Sequence, residues 1–257
     1  MDQSNEGNFA VTHSPKTAFI SGAGRNIGRA IALHLAGQGV NVVVNGSSDR
    51  PALEAVAAEA EAGGAAALVA LGDVGVAADV QRMAGEALDR FGRIDIVVNN
   101  AAIRPAKPFL ELTDADWHRV LDVDLSAAFY TARAFLPGMV EAGWGRIVNL
   151  TGMNAIHGYA GRAPVSAAKH GVWGLTKALA KEFGPRGVTV NAISPGPIRS
   201  EHADPAMTRH IESQVGRIPL GHLGEPEHIA GLCGYLVSDA GGFVSGQMIA
   251  CNGAAET

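Results

Sequence analysis

The stretch Ser21-Gly22-Ala23-Gly24-Arg25-Asn26-Ile27-Gly28 sets three glycines where a backbone must come close to something. Gly22 permits a tight turn, Gly24 lets the backbone approach a pyrophosphate, and Gly28 permits close helix packing. A helix opening at Asn26 then offers unsatisfied N–H groups to an anion. The chemistry implied is the binding of a dinucleotide through its pyrophosphate. Ribose preference is read at the end of the next strand, where a carboxylate would hold the adenine-ribose 2′-hydroxyl. The chain has Asn45-Gly46-Ser47-Ser48 there and no carboxylate before Asp49. Arg25 in the glycine loop, with Ser47 and Ser48 as further donors, suits a 2′-phosphate. NADP is the expected cofactor, with NAD as the alternative.

These residues need a frame. Short β-branched runs alternate with longer Ala- and Leu-rich stretches. Strands are expected over residues 17–21, 42–44, 66–71, 94–99, 146–150, 188–193 and 247–250. Helices are expected over residues 26–38, 52–62, 79–91, 117–135, 165–183 and 226–237. Such alternation gives βα units and a parallel sheet with helices on both faces. Right-handed crossovers make it a single-domain, doubly wound Rossmann-type α/β fold, with ligands beyond the carboxyl ends of the strands. Residues 14–257 read as this one domain and residues 1–13 as a polar, flexible arm. The irregular stretch 194–220, which contains Pro195-Gly196-Pro197, reads as a mobile flap over the site.

Bulk properties narrow the classes. The chain has 257 residues, 47% of them hydrophobic and 18% charged, enough for a large core. A net charge of −5 without a basic stripe argues against a nucleic-acid partner. The two cysteines, Cys233 and Cys251, form no metal spacing and no disulfide framework. No secretory signal and no bilayer-length apolar run are present, so a cytoplasmic protein acting on a small molecule, without membrane or metal, is expected.

The glycine loop resembles the short-chain dehydrogenase/reductase family, especially its 3-oxoacyl-carrier-protein-reductase-like members, and further motifs extend the likeness from Thr17 to Gly253. Asp73-Val74 resembles the pair that contacts adenine. Asn99-Asn100-Ala101-Ala102 resembles the family's NNAG motif. Pro195-Gly196-Pro197-Ile198 resembles the turn beneath the nicotinamide. The resemblance therefore makes Asp73, Val74, Asn99, Ala101, Pro195, Gly196 and Ile198 cofactor contacts. It also implies a homotetramer or homodimer built through the Trp117 and Val165 helices.

The catalytic pattern departs from the family. Lys169 matches the lysine of its Tyr-x-x-x-Lys motif, but Val165 stands four residues earlier in place of the tyrosine. Gly152 stands for the serine at the end of the fifth strand, and Asp124 for the asparagine. Losing the positioned acid costs about 10²- to 10⁴-fold, and losing an oxyanion donor costs a comparable factor. Lys169 can still hold the nicotinamide ribose. The resemblance lays the segment from Gly152 to Val165 along the substrate pocket. Tyr159 and His157 are its candidates for a relocated acid. Thr151 is a candidate replacement hydroxyl, Arg162 a candidate for a substrate carboxylate or phosphate, and Asn154, Gly152 and Val165 are lining residues. The reading is an atypical NADP(H)-dependent oxidoreductase on a small carbonyl or alcohol. The alternatives are a non-redox lyase or hydrolase using His157 or Asp124, and a catalytically silent partner subunit. The double change Gly152→Ser with Val165→Tyr is expected to raise carbonyl reduction.

Overall fold

A computed structural model describes residues 15–201, 209 and 211–255. The polar arm over residues 1–13 lies outside the described residues, as does the centre of the expected flap. Seven strands form one parallel sheet: β1 (Thr17–Ile20), β2 (Asn41–Gly46), β3 (Ala67–Leu71), β4 (Ile96–Asn99), β5 (Gly145–Leu150), β6 (Val188–Pro195) and β7 (Met248–Cys251). Their order is β3-β2-β1-β4-β5-β6-β7. The direction of winding reverses between β1 and β4, and the crevice at that switch point is where such sheets hold ligands.

The strands are apolar at successive positions because both faces are covered. Ala18, Ile20, Val42, Val44, Ile96 and Val98 pack with α1 (Asn26–Ala36), α2 (Arg50–Ala62) and α7 (Pro226–Val237). The intervening Phe19, Val43 and Val97 face α3 (Ala77–Phe91), α5 (Ala127–Ala142) and the far end of α6 (Ala163–Phe183). The Phe19 and Phe135 rings meet with centroids 5.3 Å apart, which locks β1 onto α5.

The helix expected over residues 117–135 differs most from expectation. It starts earlier, as α4 (Asp114–Leu121), because Thr113 and Asp116 form a reciprocal capping box. A π-helical turn at Asp122–Ser126 then joins it to α5, which runs on to Ala142. That turn inserts an extra residue into the helical ladder and carries Asp124 inward. No helix among the described residues is long and apolar enough to cross a membrane.

Candidate active site

The glycine loop is a cradle closed from below by polar contacts. Ser21 Oγ accepts from the backbone N–H groups of Asn100 and Ala101, both at 3.0 Å. The Asn100 side-chain amide donates to the Ser21 and Gly22 carbonyls, each at 3.0 Å. These bonds hold the loop against the end of β4. Gly22 has φ +63°, which glycine adopts without penalty. A Cβ on Gly28 would overlap the Gly22 carbonyl oxygen. A Cβ on Gly24 would make only ordinary contact with Ala52 and Leu53 of α2. The first turn of α1, beginning with Asn26 and Ile27, contains no acidic residue, and Arg25 provides no side-chain cap. Its positive end and free N–H groups therefore face the cradle. Asn26 itself has φ 51°, and its side chain pairs with the backbone N–H of Glu201 at 2.9 Å. The start of the expected flap is thereby pinned to the glycine loop.

At the expected ribose end the structure corrects one residue and leaves others open to a ligand. Asn45 is buried, and its amide donates to the Ala70 and Gly72 carbonyls at 2.9 and 3.0 Å. It braces β2 against β3 and does not face a cofactor, because alternate strand residues point to opposite sides. Ser47 and Ser48 are exposed on the following turn. The nearby carboxylate, Asp49, is spent capping α2 through the Ala52 N–H at 3.1 Å. Arg25 is exposed and makes no ion pair among the described residues. The Asp73 carboxylate is committed to Arg119 at 2.7 Å and to the Gly75 N–H at 2.9 Å. Val74 is buried in the core beneath the sheet, and the Asp73 backbone is itself engaged, its N–H by Asp79 and its carbonyl by the Val76 N–H.

The other half of the crevice is built on buried polar chains. Asn99 accepts from Thr131 Oγ1 and donates to Asn149, each at 2.8 Å; Asn149 in turn donates to Thr176 at 2.9 Å. Asn99 is therefore a structural brace between β4, β5 and the helices beneath, while Ala101 lines the crevice. Lys169, on α6, donates to the Leu150 carbonyl at 3.0 Å and lies 3.5 Å from Asp124 Oδ2. The other Asp124 oxygen accepts from the Ile103 N–H at 2.8 Å. Burial pushes the Lys169 amine below its usual value; Asp124 opposes that shift and Arg104 adds to it.

Two expected pocket residues, Val165 and Thr151, and one expected cofactor contact, Ile198, are placed otherwise. Val165 is fully buried among Val120 and Ala168, with Ile103, Leu121 and Leu125 around them, and does not line a substrate space. Thr151 turns its hydroxyl away, onto the Ile193 carbonyl at 3.1 Å. Ile198 bridges to Gly224 and packs into the core. Gly152 has φ 81° and ψ 177°, a region nearly exclusive to glycine. Asn154 accepts from Ser166 at 3.2 Å. His157 is exposed and Tyr159 half-buried on the turn before α6, and half-buried Arg162 sits at the amino end of that helix. Pro195 ends β6, and a Cβ on Gly196 would meet the Asn252 backbone at 2.5 Å. Arg104 escaped the sequence reading. Its signal was a charged residue just past β4, on the ligand side of the sheet.

The architecture has many relatives. The family model described as enoyl-(acyl carrier protein) reductase matches residues 22–254. A 3-oxoacyl-[acyl-carrier-protein] reductase of Synechocystis is 39% identical over 241 residues, covering 93% of this chain and 96% of its own. The (2S)-[(R)-hydroxy(phenyl)methyl]succinyl-CoA dehydrogenase subunit BbsD of Thauera aromatica is 40% identical, with coverage of 93% and 96%. A crystal structure of a candidate short-chain alcohol dehydrogenase from Sinorhizobium meliloti superposes with a TM-score of 0.88 at 31% identity, covering 95% and 97% of the two chains. With the parallel sheet, the glycine cradle and these likenesses together, the chain belongs to the short-chain dehydrogenase/reductase family of oxidoreductases, on its 3-oxoacyl-carrier-protein-reductase-like side.

Proposed function

We propose that the chain is an NADP(H)-dependent oxidoreductase that interconverts a carbonyl and an alcohol on a small molecule, with Lys169 moving the proton. One observation carries this reading: Lys169 Nζ is buried at the switch-point crevice, 3.0 Å from the Leu150 carbonyl and 3.5 Å from Asp124. The cradle fits a dinucleotide, since Gly22 and Gly28 let the loop close tightly on itself and on the end of β4, and the uncapped α1 offers donors to a pyrophosphate. Exposed Arg25, Ser47 and Ser48, with Asp49 occupied as a cap, favour a 2′-phosphate over a bare hydroxyl.

A bound nicotinamide supplies or accepts the hydride. Reduction then leaves an alkoxide that needs one proton. The Lys169 ammonium, lowered from its ordinary value by burial, gives up that proton more readily than a solvated lysine. Asp124 keeps the amine in place, and a proton from solvent restores the ammonium. Oxidation runs the same steps backwards. His157 and Tyr159, on the turn before α6, are candidates to pass protons to solvent. Both cysteines are free, as suits a cytoplasmic protein, and the family resemblance suggests a homodimer or homotetramer.

The test follows NADPH consumption over a panel of small ketones and oxo acids. Turnover by the unmodified chain, and its loss by about 10²-fold or more in Lys169→Met with NADPH still bound, is expected. A chain that binds NADPH and reduces nothing would contradict the reading.

A further inference from the structure

The Lys169 crevice holds more positive charge than proton transfer needs. Past β4 the chain turns outward at Ile103, whose N–H is bonded to Asp124, and the next side chain is Arg104. The Lys107 N–H donates to the Gly161 carbonyl at 2.8 Å, which ties this loop to the turn before α6. That turn ends in Arg162. Neither guanidinium forms a hydrogen bond or ion pair among the described residues.

The two groups nevertheless feel one another. Arg104 is exposed, and both Asp124 and Arg162 are near enough to act on its charge, the one favouring it and the other opposing it. Guanidinium groups stay protonated in proteins. Arg104 therefore sits between the Asp124 carboxylate and a second permanent positive charge, Arg162, whatever the state of Lys169. The first turn of α6 adds its positive end, with neither an acidic residue nor a side-chain cap. Arg104 also borders an open hollow of about 560 Å³ beside α4, whose other charged groups, Asp116 and Arg119, are paired with Lys107 and Asp73.

Resting on the oxidoreductase reading of this same site, we propose that the substrate carries an anionic group, a carboxylate or phosphate, gripped by Arg104 and Arg162 while its carbonyl or hydroxyl carbon lies at Lys169. The guanidinium fork matches both oxyanions in geometry. An anion between the two arginines also relieves their mutual repulsion, a gain that a neutral substrate cannot supply.

The experiment has two arms. The first measures binding without turnover, by calorimetric titration of malonate and of inorganic phosphate into the unmodified chain and into Arg104→Met and Arg162→Met. Saturable binding of either anion, weakened about tenfold or more in both variants with unchanged circular dichroism, is the expected result. The stronger of the two anions distinguishes carboxylate from phosphate. No binding, or equal binding by the variants, overturns the proposal even if ketones are reduced. The second arm compares kcat/KM for 4-oxopentanoate with its methyl ester, and for dihydroxyacetone phosphate with dihydroxyacetone. A preference for one charged member of about tenfold or more, falling towards unity in either variant, supports the proposal. Equal use of charged and neutral members overturns it. Anion binding by the first arm with no reduction of any compound leaves the anion site standing and contradicts only the redox reading.

Discussion

Lys169 is a base kept where a base is costly to charge. Its pKa lies below the ordinary 10.5, chiefly through burial, so the unfolded chain binds the proton up to a higher pH than the folded one. Stability from this group therefore rises with pH through the window below 10.5 and levels off above it. The same shift has a kinetic signature. With Lys169 as the proposed proton donor, kcat/KM for reduction should fall as pH climbs through the lowered pKa, while that for oxidation should rise. In Lys169→Arg the residual reduction should lose this alkaline limb, because arginine stays protonated; a limb that persists would assign the proton to another group. The neighbouring positions answer differently from expectation. Adding Ser at position 152 forces an L side chain into φ 81°, a strain of about 1–3 kcal/mol. Adding Tyr at position 165 overfills a fully buried site, at about 1–3 kcal/mol more. Thermal unfolding of Gly152→Ser with Val165→Tyr should therefore show a lower Tm, and restored reduction without destabilisation would mean the backbone relaxes there.

Elements decide which side chains can reach a ligand. The β2 register sends Asn45 inward, where it bonds the Ala70 and Gly72 carbonyls, and leaves selectivity to the loops on either side. Arg25 sits on one of them, exposed, between β1 and α1. Arg25→Ala should weaken NADPH by about tenfold or more, the loss of a charge-assisted hydrogen bond, and should leave NADH nearly unchanged. Calorimetric titration with both cofactors checks this; an equal loss for the two would place Arg25 away from any 2′-phosphate. The glycine spacing made the cradle legible because backbone conformation is written in residue type. Asn45 and Thr151 were not legible as braces, because a pattern of types does not say which way a polar side chain turns. The π-helical turn that carries Asp124 was hidden for a related reason. One inserted residue barely disturbs helical periodicity, yet it redirects the side chain into the crevice.

At the scale of the whole molecule, alternating apolar segments sufficed to foresee the parallel sheet, since each strand buried on both faces must read as a continuous apolar run. The order β3-β2-β1-β4-β5-β6-β7 is what right-handed crossovers on either side of β1 produce. What the pattern could not foresee was the meeting of distant loops. The Lys107 and Gly161 backbones join two turns far apart in sequence, and only the folded chain brings the loops that carry Arg104 and Arg162 together. The sheet thus gathers a dinucleotide cradle from its first strands and a charged crevice from β4, β5 and α6. On the proposed reading, hydride crosses between these halves. The most direct measurement is isotope transfer: NADPH carrying deuterium at the nicotinamide C4 is incubated with the chain and the ketone and oxo-acid panel, and the products are read by mass spectrometry. The account predicts an alcohol product with deuterium on the former carbonyl carbon. Product alcohols without the label, or labelled NADPH recovered unchanged from every mixture, would contradict it.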